Sequence, residues 1–459
     1  LTSTGDTNKI GNMSVGMGGV STGLEAELSA IKYNRYVKYQ KEKTKYGIPS
    51  MYPAEGIFAF MGYKSTSFPQ PIAQAASWDP AIVATVASIV GEESKSRGVR
   101  MVFSPVLNIA RDPRWGRSGE TYGEDPYMIA RMGVAYVKTM EAKGVATTLK
   151  HFAGNTGHEG KFGAPAFYSE RYYREYEFPP YEAGFKEGGS QAVMMAYNTA
   201  DGIPCTQHEW MMKKVIKGEW GFKGIIMSDG GGMSLIQESF GIDSAAKIIA
   251  AKSINAGCDF ALEHKDDFYG KPLFQAYKEG LVKEEVITES ARRVLRVIFK
   301  TGLYDNPYLD PAYAKKINDS EQHRKISLEV AKKCHVLLKN ENNTLPFSKS
   351  VKNIAVVGPL ADKLLINHYG GYGRKEVTVL EGIKNLLPKA YVVYEKGAEV
   401  GFTYYPTIEN QYLFTTENGK RVNGLKAEYF ANTNLEGEPK FTRIDDKIDF
   451  NWKEDAPQG

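Results

Sequence analysis

The sequence is short of the features that mark specialised classes. Its three cysteines, Cys205, Cys258 and Cys334, are too few for a disulfide framework, and none forms a C-x-x-C pair. Buried free thiols are expected. No apolar run approaches the ~18–20 residues that cross a bilayer, so no membrane partner is expected. Charge of one sign is not in excess: 58 basic against 54 acidic residues give a formal charge of +4, and no nucleic acid or other polyanion is expected. The seven histidines, at 151, 158, 208, 264, 323, 335 and 368, show no ligand spacing such as H-E-x-x-H. No metal and no other cofactor is expected. GMGGVSTG near the N-terminus fits neither phosphate-binding glycine pattern and reads as a flexible turn. Leu1 is followed by neither a basic nor an apolar leader region, so any export signal is expected to have been removed. A secreted or periplasmic protein would fit, and the compartment stays open, as does assembly into a homo-oligomer.

What is present is an ordinary globular composition, 42% hydrophobic and 24% charged, over 459 residues, enough for two or three domains. Up to about residue 305, short apolar runs such as RMVFSPVLNIA, VATTLKHFAG, QAVMMAYNTA, GIIMSDGGG and CDFALEH alternate with amphipathic segments such as DPAIVATVASIVGEESKSRG. Strand-then-helix repetition over this length predicts a parallel α/β fold, most economically a (β/α)8-type barrel over 1–305. TGLYDNPYLDP opens a linker at 306–330. A helix over HRKISLEVAKKCHVLLKN and a strand-turn NIAVVGPLAD begin a second α/β unit, 331–421. From about 422 to 459 the alternation of apolar and polar residues predicts β-strands, too few to close a β-domain.

In a parallel barrel the carboxyl ends of the strands carry the chemistry. Those ends supply Arg111, Arg114 and Arg117 with Glu120, then Lys150 and His151, then Tyr197 and Asn198, then Asp229. Cationic and phenolic donors beside carboxylates suit a neutral ligand rich in hydroxyls. A lone strand-end Asp is more often a helix cap than a catalyst, but four polar ends in succession would gain a purely structural barrel little.

The segments TSFPQPIAQAASWDP, SPVLNIARDPRWGRSGETYGEDP, LKHFAGN, SERYYREYEFPPYEAGF, VMMAYNTADGIPC and GFKGIIMSD resemble, in order, the catalytic barrel of glycoside hydrolase family 3. EVAKKCHVLLKNENNTLPF and IAVVGPLAD resemble that family's second, α/β-sandwich domain, and the tail from Gly424 resembles the start of a protective-antigen-type β-domain insert. The resemblance implies a retaining exo-β-glycosidase, most simply a β-glucosidase, acting on a β-glucoside or oligosaccharide. It implies Asp229 as nucleophile, and Glu55, Arg117, Lys150, His151 and Tyr197 around the terminal sugar. A retaining site needs a second carboxyl group ~5–5.5 Å away. In two-domain members this acid/base is a Glu of the second domain, expected here beyond Gly459.

Single-domain members of the family use a histidine after Lys-His, in an Asp-x-His motif. That motif is absent here, and His158 and Glu159 are expected to be loop-surface residues. The sequence also departs from the family where Phe58-Ala59 stands for His-Gly, and where Gly230-Gly231 replaces the bulky residue after the nucleophile. The glycines would either open space for an aglycone or serve backbone geometry. Lys150 and Arg117 are expected to keep Asp229 ionised. Two alternatives stay open: a β-xylosidase, for which the longer Glu55 would crowd a hydroxymethyl group, and a carbohydrate-binding protein without turnover.

Overall fold

The β-branched and Met-rich runs form one parallel sheet. It contains β1 (Tyr52–Ala54), β2 (Val99–Val102), β3 (Ala146–Phe152), β4 (Ala192–Met195) and β5 (Ile225–Ser228), neighbours in chain order throughout. The computed structural model describes residues 22–155, 163–263, 268–374, 376–398, 408–448 and 450. A sixth position follows as a parallel bridge between Met227 and Phe260.

Among the described residues the sheet is thus a curled partial barrel, where the sequence predicts eight strands. Its concave side shows what fills the gap. Met51, Met101, Ala146, Met194, Met227 and Leu262, from six successive strand positions, share one apolar core with Val297, Ile298 and Leu303. The last three belong to, or directly follow, helix Glu284–Lys300. An amphipathic helix takes the place of further strands because its apolar face buries the same surface.

Around the sheet, α1 (Ala26–Lys43), α2 (Pro80–Ser96) and α3 (Pro126–Ala142) are joined later by α4 (Pro311–Ile317) and α5 (Glu321–Lys333). Three of these helices start in one way. Asp79, Asp125 and Asp310 each precede a proline and accept hydrogen bonds from backbone N–H groups of the first turn, so the acid caps while the proline presets the first helical φ.

Residues 306–330, expected as a linker, carry α4 and most of α5 and lie within the barrel unit. The buried Arg97, directly after α2, donates to Asn318 Oδ1 (2.8 Å) and to the carbonyls of Leu24 and Tyr63. Glu93, buried within α2, accepts from Thr66, from the Asp319 N–H and from His323 Nδ1 (2.8 Å). Such charge-assisted contacts bind the segment to the barrel.

Residues 365–376 also belong to the barrel unit. Tyr372 bridges Tyr63 in parallel fashion, and the Gly371 N–H donates to Ser67 Oγ (2.9 Å).

A second unit comprises 348–364 and 377 onward. In it β6 (Asn353–Val357) and β7 (Tyr391–Glu395) pair in parallel around a helix, Val379–Leu386. A hairpin then joins β8 (Phe414–Glu417) to β9 (Lys420–Asn423) through Asn418-Gly419, both at positive φ. β10 (Leu425–Tyr429) and β11 (Phe441–Asp445) form a second antiparallel ribbon. No helix among the described residues is long and apolar enough to cross a membrane. Cys205 and Cys258 are buried and Cys334 half-buried, all as free thiols.

Candidate active site

Each strand delivers a polar side chain at its carboxyl end. Glu55 follows β1, the loop after β2 carries Arg117 and Glu120, Lys150 and His151 lie within β3, Tyr197 follows β4, and Asp229 follows β5. The geometry brings all six predicted residues together. Lys150 Nζ sits 2.9 Å from both oxygens of Glu55. Arg117 grips Glu120 through Nε (2.9 Å) and Nη2 (2.8 Å), and Nη2 also lies 3.2 Å from His151 Nε2. His151 Nε2 is 3.5 Å from Asp229 Oδ2. Asp229 Oδ1 accepts the Gly230 N–H at 2.7 Å, while the buried Oδ2 meets no hydrogen-bond partner within bonding geometry among the described residues. The Tyr197 hydroxyl donates to the Gly230 carbonyl (2.8 Å), the residue beside the nucleophile candidate.

Electrostatics differ from the expectation at Asp229. Burial pushes its carboxyl up to about 6, and Lys150, the Gly230 N–H and Arg117 only partly offset that. Burial outweighs these groups and a hydrogen bond from Tyr197 together, while Lys150 also pairs with Glu55 and Arg117 with Glu120. Glu55 is raised as well, by burial, with Lys150 opposing. Burial, then the charges of Arg117 and Lys150, hold His151 well below the usual imidazole range, so it is neutral.

Arg111 and Arg114 do not join the site. Arg111 stacks over Tyr172 and Tyr176 and donates to the Tyr172 hydroxyl, and Arg114 pairs with Asp112, both on the surface. Asn198 is buried and turns to the carbonyls of Thr199 and Ala153. His158, Glu159, His264 and most of the GMGGVSTG stretch lie outside the described residues. Among the described residues no cluster of His, Cys, Asp and Glu could hold a metal ion.

Of the glycines after Asp229, Gly231 is explained by its backbone. It adopts φ +78° while its N–H donates to the Leu262 carbonyl (2.8 Å), a conformation that costs a side-chain-bearing residue about 1–2 kcal/mol. Glu263 completes the loop by accepting from the Met233 N–H (2.9 Å) and the Ser234 hydroxyl (3.0 Å). It is the next-to-last residue of CDFALEH, and its polar position near a run's end was the available signal.

Tyr369 gave no such signal. It arrives from the strip 365–376, with its ring 5.1 Å from Lys150 Nζ. The departure at Phe58-Ala59 is explained there: both residues pack with Ile57, Val106 and Trp115, and Tyr369 lies against them as an apolar wall. A Cβ on Gly371 would fall 2.5 Å from the Ser65 carbonyl oxygen. Gly371→Ala is therefore expected to lift the strip and to cost about 1–3 kcal/mol in thermal denaturation. An unchanged melting temperature would show that the strip does not pack this way.

A curled parallel sheet with a buried carboxylate and paired cations at its carboxyl rim defines the class: a parallel α/β barrel with its polar groups gathered where such barrels place their chemistry. Family models make it particular. Residues 6–297 match the glycosyl hydrolase family 3 N-terminal domain and 335–454 its C-terminal domain; the chain belongs to glycosyl hydrolase family 3. It is 37% identical over 354 residues to a periplasmic beta-glucosidase of Salmonella typhimurium, covering 73% of this chain and 45% of that one. It is 32% identical over 395 residues to a beta-xylosidase of Formosa agariphila, covering 77% and 53%. A solved b-glucosidase from Erythrobacter marinus superposes with a TM-score of 0.79 at 30% identity, over 83% of this chain and 52% of that one. A beta-glucosidase from Listeria innocua in complex with glucose gives 0.73 at 29%, over 83% and 53%. The chain spans about half the length of the curated relatives it matches.

Proposed function

We propose that this chain carries the catalytic barrel of a retaining exo-β-glycosidase, with Asp229 as nucleophile and terminal β-glucosyl residues as the first substrate class. The observation that carries this is the asymmetry of Asp229: Oδ1 is held by the Gly230 N–H, whereas Oδ2 is buried without a hydrogen-bond partner among the described residues. A carboxylate with one oxygen fixed and the other free is oriented for attack. Oδ2 bonds to the anomeric carbon as the glycosidic C–O bond breaks, and the leaving oxygen takes the electron pair and a proton from a general acid. Water then attacks the glycosyl-enzyme, losing its proton to the same group, now a base, and the β-configuration is kept.

That acid/base is expected from the C-terminal part of the family's sequence, downstream of Gly459. Glu55, Lys150, Arg117 and His151 would meet the hydroxyls of the sugar, and Tyr197 would steady the Asp229–Gly230 backbone. Exo action asks for a site closed behind the terminal sugar, a part that the Glu55–Lys150 pair and the Phe58–Trp115 wall would play. β-Xylosides are the second reading, favoured by relatives of that name; the longer Glu55 would crowd a hydroxymethyl group.

The test is mass spectrometry after incubation with a 2-deoxy-2-fluoro-β-glucoside bearing a 2,4-dinitrophenolate leaving group, which needs the nucleophile but no acid. An adduct on the Asp229 peptide is expected. Label from the xylosyl analogue alone would move the substrate class, and label from neither would overturn the reading. Only the carboxylate attacks, so the labelling rate is expected to rise with pH through about 6, the raised value of Asp229, to a plateau without a descending limb. A rate flat across that range would contradict it.

A further inference from the structure

Asn108, in the loop after β2, is fully buried and makes three contacts with one residue. Its Nδ2 donates to the His151 carbonyl (2.8 Å), its Oδ1 accepts the His151 backbone N–H (2.9 Å), and the same Oδ1 lies 2.9 Å from His151 Nδ1. The orientation of an Asn amide is usually a matter of inference, but here two backbone groups dictate it. A carbonyl cannot donate and a peptide N–H cannot accept, so Nδ2 faces the first and Oδ1 the second.

The tautomer of His151 follows from both sides of its ring. An amide oxygen offers only lone pairs, so Nδ1 must carry the proton. On the other side Arg117 Nη2, which can only donate, stands 3.2 Å from Nε2, so Nε2 must present its lone pair. Burial and the neighbouring charges of Arg117 and Lys150 disfavour the doubly protonated ring.

We propose that Asn108 is a positioning residue that locks His151 in the Nδ1–H tautomer, so that Nε2 meets the sugar pocket and Asp229 as an acceptor only. The consequence for the chemistry rests on Asp229 being the nucleophile, as proposed above. With the opposite tautomer, Nε2–H would point toward Asp229 Oδ2, 3.5 Å away. It would tie up the attacking lone pair and push back the Arg117 N–H. With the locked tautomer Oδ2 stays free, Arg117 stays anchored, and a sugar hydroxyl that engages His151 must donate to it. Asn108 itself touches no reacting atom. It sets the direction of hydrogen bonding one residue away.

The experiment uses the full chain labelled with 15N-histidine, with the His151 signals assigned by their loss in His151→Gln. Long-range 1H–15N correlation is expected to show a pyrrole-type Nδ1 and a pyridine-type Nε2, unchanged between about pH 5 and pH 8, the window in which an ordinary histidine titrates. A pyrrole-type Nε2, or an imidazolium at neutral pH, would overturn the proposal. Asn108→Asp keeps the acceptor but adds charge, so its His151 signals should begin to titrate within that window. Asn108→Ala frees the tautomer and is expected to slow 2-fluoroglucosyl labelling of Asp229 roughly tenfold to a hundredfold, the usual cost of an orienting partner. Labelling of Asn108→Ala at the parent rate, with the tautomer as stated, would remove the positioning role. A parent chain that takes no label would sink the glycosidase reading and the chemical consequence drawn from it, while the nitrogen shifts still decide whether Asn108 locks His151.

Discussion

Asp229→Asn is expected to abolish glycosyl-enzyme formation and, at neutral pH, to make the protein more stable. The first effect is the loss of the only group placed to attack, on the order of 10^4-fold or more in labelling rate. The second follows from burial. The folded protein holds the Asp229 carboxyl at about 6, against an ordinary 3.8. A raised folded-state value means that the group favours folding only while protonated. Its contribution is complete below about 3.8 and is lost as pH rises through about 6. At neutral pH the ionised side chain therefore costs as much as about 3 kcal/mol, which a neutral amide of the same shape avoids. Thermal denaturation of parent and variant at pH 7 and pH 4 checks this. The gain should be present at the first and shrink at the second, and an equal gain at both would refute burial of charge as its source.

Lys150→Met removes the cation that acts most strongly on both Glu55 and Asp229, ahead of Arg117. Lys150 is almost entirely buried and lies 2.9 Å from both Glu55 oxygens, so its loss strands a carboxylate in a largely dry site. Breaking a buried pair from one side costs about 3–5 kcal/mol, and the labelling rate should fall by about 10–100-fold with the lost charge-assisted contacts. Removing positive charge also disfavours ionised Asp229, so the midpoint of the labelling curve should move upward from about 6. The double variant Lys150→Met, Glu55→Gln separates the effects. Stability should return in large part, because Glu55 no longer leaves an unpaired charge buried, while labelling should not. Labelling restored along with stability would mean that Lys150 acts only through packing.

The residues that carry this site were legible to different degrees, and the differences have physical causes. Asp229, Lys150, His151 and Tyr197 stand at the ends of apolar runs, and a parallel sheet brings such ends to one rim; strand periodicity alone points there. Arg111 and Arg114 share that position in sequence, yet the loop after β2 is long enough to turn them outward onto Tyr172 and Asp112. A loop has no periodicity from which side-chain direction can be read. The upward shift of the Asp229 carboxyl was not legible for a related reason. Proximity of Lys150 and Arg117 suggested stabilisation, but their partners Glu55 and Glu120 had first claim on them. Asn108 was hidden inside an apolar run, where a polar residue reads as incidental until its three hydrogen bonds are seen. The parallel α/β barrel type was legible in the alternation of runs, whereas the number of strands was not, because among the described residues the apolar face of helix Glu284–Lys300 shares the core of the strand runs and hydrophobic patterning does not separate the two.

The strip 365–376 bears on how such barrels can be exchanged. It lies in sequence beyond the end of the barrel and between two stretches of another folding unit, yet it props the wall behind Lys150. A barrel transplanted between relatives at the natural seam after Phe347 would leave a dozen residues behind and arrive with the guest sequence's tyrosine, or none, against Phe58. Compatibility in such chimaeras would be decided at Gly371 and Ser65, where there is no room for a Cβ, before any residue of the catalytic rim is compared.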